Sequence, residues 1–134
     1  MKNNPHQNFT DLEVWKSARK LKMKIWDLAG KFPVEEKYRL ADQLIRSSRG
    51  IGAVIAEGHG RFTYKEQINF CIIGRGSLSE VLHHLIDAMD CGYISKQKLK
   101  EYKTDIDETG KLLNGYITFL RKSVPQKKQE RPAD

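Results

Sequence analysis

The stretch QLIRSSRGIGAVIAEGHGRFTYKEQINFCIIGRGSLSE, residues 43–80, decides how the chain is read. Its first half is an apolar, helix-forming run that nonetheless carries Gly50, Gly52 and Gly58. A glycine inside a helix costs about 1 kcal/mol relative to alanine. Close approach of a second helix offsets that loss, because a missing side chain lets two backbones gain dispersion contacts. Gly58 and Gly60 also suit the end of a helix, but Gly52 does not. Thr63 with Glu66 three residues on then reads as a capping box that opens another helix. We expect Gly52, Gly58, Gly76 and, further on, Gly110 to be points of helix packing.

Outward from this stretch, the apolar positions follow a helical period. Val14, Ala18, Leu21, Ile25, Leu28 and Phe32 alternate steps of four and three, with Thr10 or Asp11 as cap and Pro33 as stop. A second helix is expected from Val34 to Glu57, with a seam through Leu40, Leu44, Ser47 or Ser48, Ile51 and Ile55. The third carries Ile68, Cys71 or Ile72, Leu78, Leu82, Leu85 and Met89, is interrupted at Gly74-Arg75-Gly76 and closes at Cys91-Gly92. Ser95 caps the fourth, whose seam is Leu99, Ile106, Leu113, Ile117 and Leu120. Long helices joined by short turns predict an all-α, antiparallel, up-down-up-down four-helix bundle over residues 9–122. Residues 1–8 and the basic tail 123–134 are expected to be disordered.

A chain of 134 residues is one domain by size. Cys71 and Cys91 lack metal or redox spacing and read as small apolar residues of a reducing compartment. With no leader-like segment and no apolar run long enough to span a bilayer, a cytoplasmic protein is expected. The formal net charge is +7 and is polarised along the chain. Residues 10–33 hold six Lys/Arg against three Asp/Glu, whereas 63–94 hold two against four. Such a charge favours an acidic partner, and it equally serves solubility.

Catalytic chemistry has no candidate. Glu80 and His83 form one Glu-x-x-His step, but a di-metal bundle needs a second step and further carboxylates, so no metal and no cofactor are expected. His83 and His84 read as a surface pair. No Arg has a His four to six positions on, which disfavours the small helical ribonucleases, and the Gly-x-Gly fragments follow no strand and lack a phosphate-loop Lys. The serines have no His and acid arrangement beside them. We expect no enzyme.

Binding residues are better represented. On a helical wheel Trp15, Arg19, Lys22 and Trp26 share one flank of the first helix, with Lys16 and Lys20 beside them. Cations next to flat rings suit a nucleic-acid backbone with base stacking, and they equally suit interface rings with Lys and Arg stems packed around them. We assign Trp15 and Trp26 to a subunit interface, since the chain has more aromatic residues than one bundle stripe needs. Arg39, Arg46 and Arg49 form a second basic stripe that Arg61 and Lys65 extend, suited to phosphate or to intersubunit carboxylates such as Glu57 or Glu80.

Three segments carry a resemblance: FTDLEVWKSA at 9–18, the Gln43–Arg61 run and GRGSLSEVLHHL at 74–85. They are similar to the four-helix-bundle family of proteins encoded in 23S rRNA intervening sequences, over about residues 9–120. One departure is Val54, where the family pattern has Asn before Ile-Ala-Glu-Gly. The resemblance implies a homopentameric barrel and a non-enzymatic role. It extends to accessory proteins of diversity-generating retroelements, which implies RNA or DNA and a reverse transcriptase as partners. Among the matched positions it places Arg46, Arg49 and Arg61 in the nucleic-acid surface. The alternative from the residues alone is a protein-protein interaction module with no nucleic-acid role.

Overall fold

The computed structural model describes residues 8–125, and within them the chain forms four α-helices and two short 3-10 turns. The helices are α1 (Glu13–Ala29), α2 (Leu40–His59), α3 (Tyr64–Asp90) and α4 (Lys96–Ser123). They make a four-helix bundle in which α1 packs on α2, α2 on α3 and α3 on α4, while α4 returns to α1. Residues 1–7 and 126–134, on which most of the expected terminal disorder falls, lie outside the described residues. At the described edges Asn8 already serves as a cap, and α4 reaches Ser123.

The apolar seams converge as their periods require. Leu21, Ile25, Leu44, Ile51, Ile55, Leu85, Leu113, Ile117 and Leu120 are all but fully buried in one core. Val81, absent from the expected seam, is completely buried, whereas Leu82 and Met89 only pack against the core from its edge. Ile72 is exposed and Cys71 is the inward residue of that pair. Burial pushes the Cys71 thiol up to about 11. Cys91 does not behave as a core residue, being exposed at the C-terminal cap of α3.

Local signals set several ends. The Thr63 hydroxyl accepts from Glu66 N at 3.1 Å, and the Ser95 hydroxyl accepts from Lys98 N at 3.0 Å. Gly92 supplies the single positive φ of the described residues, +81°, just past α3. Other ends differ from expectation. The cap near Thr10 is Asn8, whose side chain accepts from Thr10 N and which opens a 3-10 turn, Phe9–Asp11, ahead of α1. Helix α1 ends at Ala29, well before Pro33.

Helix α2 begins at Leu40 rather than Val34. The reason is tertiary. Tyr93, from the α3–α4 turn, donates its hydroxyl to Glu36 Oε2 at 2.7 Å, and the other oxygen of Glu36 accepts from Leu40 N at 3.3 Å. Phe32 and Tyr93 also pack ring to ring at 5.2 Å. Held this way, Val34–Glu36 forms a 3-10 turn, and Arg39 departs from helical geometry before α2 starts.

The glycine expectations separate by position. A Cβ at Gly58 would stand 2.8 Å from Phe70 Cβ, and one at Gly52 would touch the Trp15 indole nitrogen at 3.4 Å. At Gly110 it would meet Leu78 at 3.4 Å. Among the described residues Gly76 is no packing point, because a Cβ there would meet nothing within 4 Å. The packing glycine of that pair is Gly74, which is buried and would place a Cβ 3.2 Å from Val54 Cγ2. Helix α3 runs through Gly74-Arg75-Gly76 without interruption. An apolar contact with Gly74 thus occupies Val54.

Candidate nucleic-acid interface

Helical spacing puts Trp15, Arg19, Lys22 and Trp26 on the flank of α1 that faces α2, and α2 contributes Arg49 and Gly52 to the same groove. The Arg19 guanidinium lies 5.9 Å from the Trp15 ring centroid, and that of Arg49 lies 5.3 Å from the Trp26 centroid. Trp15 is half-buried, with Phe9 edge-on at 5.2 Å and Gly52 leaving room for its indole. Trp26 is 56% exposed. Between them lies a depression of about 200 Å³ lined by Trp15, Arg19, Lys22, Arg49, Gly52 and Ala56.

Ion pairing divides the expected cations into two groups. Lys16 pairs with Glu13 at 3.2 Å, Arg46 with Asp42 at 3.5 Å and Arg61 with Glu57 at 3.0 Å. Arg61 also covers the Phe70 ring at 4.8 Å, so α2 and α3 each engage it once. Among the described residues no carboxylate pairs with Arg19, Lys22 or Arg49. Those three are the cations of the tryptophan groove, where ring faces meet Arg19 and Arg49. A phosphate approaching them displaces no internal partner.

The structure does not assemble all the sequence candidates into one surface. Lys20 lies with Lys24, Asp105 and Glu108 on the opposite flank of α1, facing α4, where Lys24 pairs with Asp105 at 2.9 Å. Lys65 sits in the first turn of α3, beyond the α2–α3 turn. Arg46 and Arg49 do not form one stripe: Arg49 enters the α1–α2 groove, while Arg46 lines a polar cleft between α2 and α3. Three residues on a helix turn a side chain by about 60° from its predecessor, enough to separate two grooves. The Asp42 to Arg46 spacing of four was the available signal that Arg46 belongs to a local pair.

Nor is His84 a surface residue. It is buried, with only His83 of the pair exposed, and Glu80 approaches His84 rather than His83. Among the described residues no group of three or more His, Cys, Asp or Glu stands close enough to hold a metal ion. Likewise, no described helix is long and apolar enough to cross a membrane.

The model of the 23S rRNA-intervening sequence protein family matches residues 10–115. The chain belongs to that family. The matched segment contains both tryptophans and every candidate cation named above. Its fold is similar to the crystal structure, at 1.70 Å resolution, of a protein of unknown function from the S23 ribosomal protein family of Bacteroides thetaiotaomicron. That similarity has a TM-score of 0.72 at 24% identity and covers 78% of this chain and 95% of the other. A comparison with curated proteins gives no match.

Proposed function

We propose that this family member is a basic, non-catalytic scaffold that binds structured RNA or an RNA–DNA intermediate. In this reading the helices run alternately up and down, five copies close into a barrel, and the protein works in the cytoplasm. A reverse transcriptase is the polymerase it would serve, as the resemblance to retroelement accessory proteins implies. The observation that carries the binding reading is the α1–α2 groove, where Arg19, Lys22 and Arg49 lack carboxylate partners and lie among Trp15 and Trp26. Guanidinium and ammonium groups release counterions on meeting phosphate, and in this reading Trp26, expected from the sequence at a subunit interface, instead offers an exposed indole as a sequence-tolerant platform for an unpaired base. Repetition around a ring would sum several weak contacts into useful affinity.

The test is binding of the purified protein to a structured RNA across a salt series, with its mass in solution taken by light scattering. A pentamer whose affinity falls steeply with salt supports the proposal. Absence of binding at low salt overturns it.

A second reading, a protein-protein interaction module, draws on a different observation. An apolar hollow of about 410 Å³ lies between the end of α1 and the start of α2, lined by Trp26, Phe32, Pro33, Val34 and Ile45 among others. Binding to a protein partner that persists at high salt, with no RNA affinity at low salt, selects that reading.

A further inference from the structure

The cleft between α2 and α3 lies on a different groove from the tryptophans and is of opposite character. It measures about 450 Å³ and is lined by Gln43, Arg46 and Ser47 from α2 and by Ser77, Glu80 and His84 from α3. Every one of these side chains is polar. His84 is the unusual member, being 8% exposed, with an Nε2 that is buried and has no hydrogen-bond partner among the described residues. Glu80 Oε2 stands 3.5 Å from it without forming a hydrogen bond. A buried polar nitrogen left unpaired is costly, and such an atom in a native structure calls for a partner.

The surrounding groups define that partner's chemistry. Ser47 spends its proton on Leu44 O, at 3.2 Å, and keeps acceptor capacity towards the cleft. A bare phosphate fits poorly, because beside His84 it would face the Glu80 carboxylate. A hydroxyl fits both groups at once: it accepts from His84 Nε2–H and donates to Glu80. Arg46 adds a cation, held only by an exposed pair with Asp42 that exchanges readily for another anion. A hydroxyl with a phosphodiester next to it is the ribose 2′-position of RNA, the group that distinguishes RNA from DNA.

We infer that the Glu80–His84 cleft reads the ribose 2′-hydroxyl of RNA while Arg46 takes the neighbouring phosphate. This rests on the nucleic-acid reading above and adds a chemical preference that the tryptophan groove does not supply. Stacking and counterion release are indifferent to the sugar, so that groove serves RNA and DNA alike.

The experiment compares the affinity of the full chain for a structured RNA hairpin and for the DNA hairpin of the same sequence. It uses the wild type, Glu80→Ala and His84→Gln, with far-UV circular dichroism as a check on folding. The wild type is expected to prefer RNA by roughly tenfold or more, the effect of one hydroxyl bonded to a charged group. Both variants should bring the RNA-to-DNA ratio close to one. The ratio is the readout because removing Glu80 raises affinity for any polyanion. The Glu80 side chain is 59% exposed, so Glu80→Ala keeps the fold and decides alone if His84→Gln does not fold. Equal wild-type affinity for RNA and DNA overturns the inference and leaves the scaffold reading standing, as does a preference that survives Glu80→Ala. No binding of either oligonucleotide at low salt overturns both.

Discussion

Arg49 of α2 holds its guanidinium 5.3 Å from the centroid of the Trp26 ring on α1, across the groove between the two helices. The pair joins a cation to a ring that is 56% exposed, so both are presented to solvent rather than used up in the core. A guanidinium over an indole gains from the ring quadrupole while its edge stays free to donate to an oxyanion. The contact therefore leaves the guanidinium edge open to an oxyanion at the groove.

Trp26→Ala should leave stability nearly unchanged and lower RNA affinity roughly tenfold, the range seen when one stacking ring is lost. Arg49→Ala should weaken RNA and DNA alike and reduce the salt slope by about one. Since the residues touch, the double variant should lose less than the sum of the two, which a double-mutant cycle on RNA binding measures directly.

Gly58 and Gly76 should respond oppositely to alanine. At Gly58 the new methyl would lie 2.8 Å from Phe70 Cβ, so a helix must shift, at a cost of roughly 1–3 kcal/mol. Among the described residues nothing stands within 4 Å of a Cβ at Gly76, an interior position of α3, and there alanine should stabilise by about 1 kcal/mol. Urea denaturation of the two variants checks the pair, and a destabilised Gly76→Ala would place a neighbouring subunit at that site.

Ser17 and Thr109 share a hydrogen bond of 2.7 Å between α1 and α4, with Thr109 only 1% exposed. Thr109→Val keeps the shape but leaves the Ser17 hydroxyl part-buried without its partner, and should cost about 1 kcal/mol. Adding Ser17→Ala removes the orphaned group, so the double variant should recover most of that loss in the same denaturation assay. A double variant no better than Thr109→Val would show that the bond is not the source of the effect.

The Glu36–Tyr93 bond sets a pH dependence. The Tyr93 hydroxyl first, and the Leu40 backbone N–H second, hold the Glu36 carboxyl below its ordinary value. The same bond, with burial, lifts the Tyr93 phenol from 10.0 to about 12. A lowered carboxyl stabilises the fold above its unfolded-state pKa, and that contribution is lost as pH falls through the folded value. A raised phenol stabilises it below 10.0, and that contribution is lost as pH rises towards about 12. Tyr93→Phe should thus be most destabilised relative to wild type between the carboxylate range and pH 10.0, with the gap closing on both sides. Denaturation midpoints across pH measure it, and a constant gap would remove this bond as the cause.

How far the site was legible differs by residue. The flank Trp15, Arg19, Lys22 and Trp26 could be read from the helical period, since it concerns one helix alone. That Arg49 rather than Arg46 completes it could not, because this depends on how α2 is rotated about its axis against α1. The same holds for His84, whose burial beside Glu80 follows from the face that α3 turns towards α2.

By itself the sequence determined four helices, the inward seams of α1 and α2, the caps at Thr63 and Ser95 and the turn at Gly92, since each rests on a local period or on a bond spanning a few residues. Tertiary structure alone decided that Val34–Glu36 stays out of α2, that Gly74 rather than Gly76 is pressed against Val54, and that the cations divide between two grooves. The physical reason is common to all three. A period states which residues share a face, but the contact of one face with another depends on residues far apart in the chain, as Glu36 and Tyr93 are.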